Sequence, residues 1–236
     1  IDSEILERNI PSYLKDPENK WFGLSKRART IVFSSDRFTS NDFSTYEDLA
    51  DPKWKGKLCL RTSKKVYNRS LIASMIDEYG FDQAKEVVSG WISNLSTEVF
   101  SNDTNALKAV SSGQCGVTIV NTYYLARLLD DPQYNNLSLF WANQNDRGVH
   151  VNISGAGIVK TSKNKENAIL LLEYLSSEKA QNLYALANKE FPVLMGAKAH
   201  ESIQAWGDFN EDNINVSKLG SLQKQAVLLA QEAGYK

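Results

Sequence analysis

The chain has 236 residues, enough for one large domain or two lobes. Its 27 lysines and arginines against 28 aspartates and glutamates leave a net charge of −1, which argues against a nucleic-acid binder and against a polybasic membrane anchor. It is 42% hydrophobic and 23% charged, as globular proteins are, and no apolar run approaches the about 18 residues of a membrane span.

The first residue is Ile1 rather than Met, and no basic and then apolar leader follows it. The start therefore reads as that of a processed or truncated product, or of a sequence given without its signal segment. Ile1 to Leu14 is amphipathic and polar, and Asp16-Pro17 ends it. Arg29 to Phe33 is rich in β-branched and aromatic residues and predicts a strand. Thr45 to Leu49 predicts a short helix, with Ser44 and Glu47 at capping-box spacing before the break at Asp51-Pro52. Lys57 to Arg61 predicts a short strand. Ser70 to Tyr79 predicts a helix closed by Gly80, and Phe81 to Asn94 a second. Thr104 to Ser112 predicts a third, stopped by Gly113 where a helix C-cap favours glycine.

Val117 to Val120 is a compact apolar strand, after which Asn121-Thr122 caps a short helix over Tyr123 to Leu129. Leu137 to Trp141 and Val149 to Ile153 predict strands. Lys165 to Leu175 and Glu178 to Leu186 carry helical periodicity, and a last helix is expected from about Leu219 to Ala233, ended by Gly234. Strands alternating with helices give an α/β protein with largely parallel sheets. Cys59 and Cys115, 56 residues apart, do not have zinc-ligand spacing. The spacing leaves both one disulfide and two buried thiols open.

Tyr123-Tyr124 is the first chemically informative feature. At a strand-to-helix turn, neighbours can converge on one point, and the free amides of a helix start favour an anion. A phenolate is such an anion. With an ordinary tyrosine pKa near ~10, it needs a strong stabiliser, and a hard trivalent cation is the best. One tyrosine packed in the core and one at the surface is the plain alternative. A second feature is the polar loop Arg61 to Ser70, which offers backbone amides, basic side chains and a third tyrosine, Tyr67. A third is Lys26-Arg27-Ala28-Arg29, where strand alternation puts Arg27 and Arg29 on one face; a surface charge cluster is its alternative. The only histidines are His150 and His200, and no nucleophile, phosphate-loop or zinc motif occurs. Acyl transfer, nucleotide hydrolysis and zinc hydrolysis therefore have no support.

Several ordered motifs resemble the periplasmic ferric-iron-binding proteins of bacterial ABC transporters. They include Trp21-Phe22-Gly23-Leu24-Ser25-Lys26-Arg27-Ala28-Arg29-Thr30, Ser44 to Lys57, Leu60-Arg61-Thr62-Ser63, Asn121-Thr122-Tyr123-Tyr124, Gly148 to Gly157, Trp206-Gly207 and Ile214-Asn215-Val216. The resemblance spans essentially the whole chain. It implies an α/β, two-lobed Venus-flytrap fold with hinge crossovers and iron in the cleft. Residues 1–27 plus 152–203 would be what remains of the N-terminal lobe, and residues 28–151 plus 204–236 the C-terminal lobe. Compared with that family the chain starts roughly eighty residues late, so its first lobe is expected to lack strands, expose an apolar sheet face and miss an iron ligand.

Tyr123 and Tyr124 would then ligate Fe³⁺ directly. Tyr67 falls where some members supply a third tyrosine and others hold phosphate or carbonate. Arg27 matches an arginine beside the metal, and Ser63 and Asn121 would be second-shell or anion contacts. Three phenolates cancel the charge of +3, and carbonate or phosphate could complete the shell. The implied protein is a periplasmic monomer that makes no covalent change. It passes iron to an inner-membrane permease and neither inserts into the membrane nor binds nucleic acid. An oxidising periplasm favours a Cys59–Cys115 disulfide. The competing readings are a relative that binds a bare oxyanion such as phosphate or phosphonate, and an α/β transferase or hydrolase, for which no general base stands out.

Overall fold

The computed structural model describes residues 1–236, with the side chain of Ala185 left aside. In chain order the helices are α1 (Glu4–Asn9), α2 (Val66–Tyr79), α3 (Phe81–Ser93), α4 (Asp103–Ser111), α5 (Thr122–Leu128), α6 (Lys165–Leu175), α7 (Glu178–Asn188), α8 (Glu201–Gln204), α9 (Val216–Ser221) and α10 (Gln223–Glu232). The strands are β1 (Trp21–Ser34), β2 (Leu58–Cys59), β3 (Val117–Asn121), β4 (Leu137–Phe140), β5 (Val151–Gly157) and β6 (Phe191–Pro192). The chain divides into two compact units. Unit 1 is Ile1–Arg27, Val151–Asp208 and Asn213–Lys218; unit 2 is Ala28–His150, Phe209–Asp212 and Leu219–Lys236.

In unit 2 the strand order is β2-β3-β1-β4. β2 runs parallel to β3, while β1 pairs antiparallel with both β3 and β4. The expectation of a largely parallel sheet is therefore corrected. β2, β3 and β4 do share one direction, because helical crossovers join them in sequence. β1 is not part of that series and runs between β3 and β4 the other way. Its register sets Arg29 opposite Asn121 and Ile31 opposite Ile119. Ile31, Val117, Ile119, Leu58 and Leu60 are all essentially removed from solvent, so strand burial and helix packing share one core.

A helical layer of α2, α3 and α10 packs together in this unit. Gly80 makes the α2–α3 junction possible: its φ of 81° lies where side-chain-bearing residues are strained. Within α3, a Cβ on Gly90 would stand 2.5 Å from Ala50 Cβ, so the glycine permits close approach of the turn at Glu47–Ala50. That turn is a short 3-10 helix. The expected capping box is not formed there; Asp48 N–H donates instead to Thr45 Oγ1, and Glu47 turns to Arg147. The expected last helix is two helices, α9 and α10, with Leu222 between them.

Unit 1 pairs the first half of β1 with β5 and, antiparallel, with β6. Leu6, Ile10, Leu14, Phe22, Val193 and Ile203 are among its buried apolar side chains. Leu170, Leu171 and Tyr174 of α6 and Leu183 and Leu186 of α7 remain exposed. Met195 and Val159, both in loops, are the most exposed apolar side chains of the unit. Among the described residues, no helix is long and apolar enough to cross a membrane.

Candidate metal centre

The buried strand β3 runs without a loop into α5, so Tyr123 and Tyr124 stand as the second and third residues of that helix. Their rings lie 4.1 Å apart at 31°. Tyr67 occupies the same position in α2, one residue after its start. Its hydroxyl and that of Tyr124 lie close enough to the Tyr123 hydroxyl to raise its pKa. Three phenol oxygens from two helix starts thus meet within unit 2. Tyr123 is buried, while Tyr67 and Tyr124 are half-buried. Burial first, then the neighbouring hydroxyls of Tyr124 and Tyr67, holds the Tyr123 hydroxyl well above the usual tyrosine range. Without a cation, Tyr123 keeps its proton; a cation that takes the oxygen must displace it.

Two guanidinium groups face these rings. Arg127 lies 4.9 Å from the Tyr123 ring centre and Arg61 lies 5.1 Å from that of Tyr67. Such contacts strengthen when the ring becomes more electron-rich, as a phenolate ring is. Among the described residues, no group of three or more His, Cys, Asp or Glu side chains is placed to hold a metal. The concentrated donor set is therefore phenolic oxygen, which suits a hard, highly charged cation far better than zinc or copper.

Behind the tyrosines lies a polar cluster that sequence reading missed. Arg29 is fully buried, and each of its five N–H groups has an acceptor. Nε and Nη2 donate to Asn68 Oδ1 at 3.0 and 2.6 Å, and Nη2 also donates to Ile119 O at 2.9 Å. Nη1 donates to Asp103 Oδ2 at 3.0 Å and to Asn121 Oδ1 at 3.2 Å. Asp103 Oδ2 also accepts the Asn121 N–H. Asn68 donates in turn to Arg61 O, Thr62 O and the Tyr235 hydroxyl. The surface-cluster alternative for Arg29 is thereby excluded. Its available signals were the strand alternation around Ala28 and Asn residues flanking tyrosines, neither of which specifies a partner.

The other expected site residues lie as follows. Asn121 stands at the α5 N-cap in extended conformation, but its side chain makes no cap bond and accepts from Arg29 instead. Ser63 is buried; its hydroxyl donates to Tyr235 O and its N–H to Lys236 O, so these groups fasten the end of α10's following segment. Arg27 belongs to unit 1, where Nε donates to Asn152 Oδ1, Nη1 to Ser154 Oγ and Nη2 to Ile153 O, with Glu190 at 3.7 Å. Cys59 of β2 is disulfide-bonded to Cys115, two residues before β3, with Cα atoms 5.9 Å apart.

An α/β chain whose concentrated oxygen donors are three phenols drawn together at two helix starts has the makings of a cation-binding protein. The chain belongs to the bacterial extracellular solute-binding protein family, whose model matches residues 4–210. It is 43% identical to iron uptake protein A1 and 39% identical to iron uptake protein A2, both of Synechocystis sp.. These alignments cover 100% of this chain and 67% and 70% of the two relatives. The structure of Trichodesmium IdiA (FutA) in complex with iron and citrate is 42% identical, with a TM-score of 0.97 over 100% of this chain and 77% of that one. The chain therefore has the α/β fold of the ferric-binding solute-binding proteins.

Proposed function

We propose that the chain is the iron-binding component of a bacterial ABC transporter, taking Fe³⁺ through Tyr67, Tyr123 and Tyr124. The observation that carries this reading is the approach of Tyr67 and Tyr124 to the buried Tyr123 hydroxyl in unit 2, where among the described residues no His, Cys, Asp or Glu cluster is placed to hold a metal. Loss of their three protons supplies three negative charges to a trivalent ion, so the filled site is close to neutral. Family membership and the iron-named relatives support the same cargo. A small oxygen-donor anion, carbonate or phosphate, completes the shell; that the Trichodesmium structure is in complex with both iron and citrate ligands supports an oxygen-donor co-ligand.

The protein acts by binding and release rather than by catalysis. It works in the periplasm as a monomer and delivers iron to an inner-membrane permease. The oxyanion reading is weaker, because the hydroxyl and N–H of Ser63 are already donated to backbone oxygens. Calorimetric titration separates the two. Ferric nitrilotriacetate should bind one to one and lose that binding in Tyr123→Phe and Tyr124→Phe. Inorganic phosphate that binds tightly without iron, unaffected by those substitutions, would establish the oxyanion reading instead.

A further inference from the structure

The tyrosine-bearing segments come from distant parts of the sequence, and one side chain ties them together. Asn68 is the residue after Tyr67. Asn121 precedes Tyr123 by two residues and stands opposite Arg29 in the β1–β3 register. Both carboxamide oxygens accept from the Arg29 guanidinium. Asp103, the first residue of α4, grips the same guanidinium and also the Asn121 backbone N–H. The start of α2, the start of α4 and the β3–α5 turn are thus fixed on one buried cation.

We infer that Arg29 is the positioning residue of the iron site: it sets the separation of Tyr67 from Tyr123 and Tyr124 before iron arrives. This rests on the proposed reading that the three tyrosines take Fe³⁺. The physical argument is preorganisation. Phenolates gathered round one cation repel each other, and a site assembled only on binding would spend part of its affinity on ordering two helix starts. A guanidinium is suited to the task because its five donors lie in one rigid plane, whereas an ammonium has only three. Five occupied donors with three segments converging on them leave little freedom for the tyrosine spacing to drift. Asn68 extends the same control outward, because its amide also holds the Arg61–Thr62 backbone beside Tyr67.

The test compares substitutions inside and outside this cluster. Asn68→Ala and Asn121→Ala each remove acceptors of Arg29 while leaving its pair with Asp103. Asn94→Ala is the control: it breaks two side-chain bonds in the same unit, a buried one to Leu49 O and a part-buried one to Asp51 O, with no tie to Arg29. Each variant is brought to the same folded fraction by circular dichroism. Each is then titrated with ferric citrate against a competing chelator, with the visible tyrosinate-to-iron band recorded. The inference predicts at least a tenfold loss of Fe³⁺ affinity and a shifted band for Asn68→Ala and Asn121→Ala, with neither change for Asn94→Ala. Arg29→Lys, where it folds, should show the same defect in stronger form; where it does not, the asparagine pair decides. Equal affinity and an unmoved band in all three alanine variants would overturn the positioning role and leave Arg29 a structural residue. Absence of any band in the unsubstituted chain would instead refute the ferric site itself.

Discussion

Acidification should destabilise unit 2 through His150. The ring is fully buried, its Nε2 lies 2.9 Å from Ser70 Oγ, and Nδ1 has no hydrogen-bond partner. Arg29 and Arg147 face it, and its backbone N–H donates to the Tyr46 hydroxyl. Burial first, then the two arginines, lowers its pKa from 6.5 to about 3. The folded state therefore holds His150 neutral while the unfolded chain takes a proton below pH 6.5. Stability from this group is complete above 6.5 and is lost as pH falls towards 3. At about 1.36 kcal/mol per unit, the loss relative to pH 8 reaches about 2 kcal/mol at pH 5 and about 4 kcal/mol near pH 3. Urea unfolding of the chain and of His150→Gln between pH 4.5 and 8 isolates the effect. The unsubstituted chain should lose about 1.4 kcal/mol more per pH unit below pH 6 than the variant does. Parallel pH profiles for the two proteins would refute the argument. Ser70 lies one turn along α2 from Tyr67, so the same titration should also loosen the iron site in acid.

Other consequences are as direct. Replacing Cys59 and Cys115 together by Ser releases a loop of 56 residues and should cost about 4 kcal/mol in chemical unfolding on chain-entropy grounds. Gly90→Ala places a Cβ 2.5 Å from Ala50 Cβ and should cost about 1–3 kcal/mol, read as a lower unfolding midpoint with iron affinity retained. Iron uptake should release protons, because the Tyr123 hydroxyl is protonated in the metal-free chain. Fe³⁺ affinity should then rise about tenfold per pH unit for each phenol that ionises, measured by competition at several pH values.

Much of this architecture is legible in the residues. Turn and cap residues such as Gly80 and Gly113 punctuate the helices, and both have positive φ in the structure. The apolar run at Val117 is a buried strand, and the Tyr123-Tyr124 pair stands where that strand meets its helix. Strand direction was not legible. Alternation of strands and helices describes β2, β3 and β4 correctly, but nothing in Trp21 to Ser34 says that it runs against them. The site shows the same division. Residue type and order single out Tyr123-Tyr124, while Tyr67 joins them only through the family resemblance. Arg29 could not be singled out, because whether an arginine on a strand faces solvent or a buried aspartate depends on residues as distant as Asp103. Ser63 illustrates the reverse: its loop resembles an anion cradle locally, while tertiary contacts commit its donors to Tyr235 and Lys236.

The most direct test of the iron site is resonance Raman spectroscopy on the ferric-loaded chain, excited in its visible band. Coordinated phenolates should give tyrosinate modes under a charge-transfer absorption. Tyr67→Phe, Tyr123→Phe and Tyr124→Phe should each weaken those modes and shift the band. A folded, iron-loaded chain without tyrosinate modes, or with modes unchanged in all three variants, would contradict the assignment of iron to these phenols.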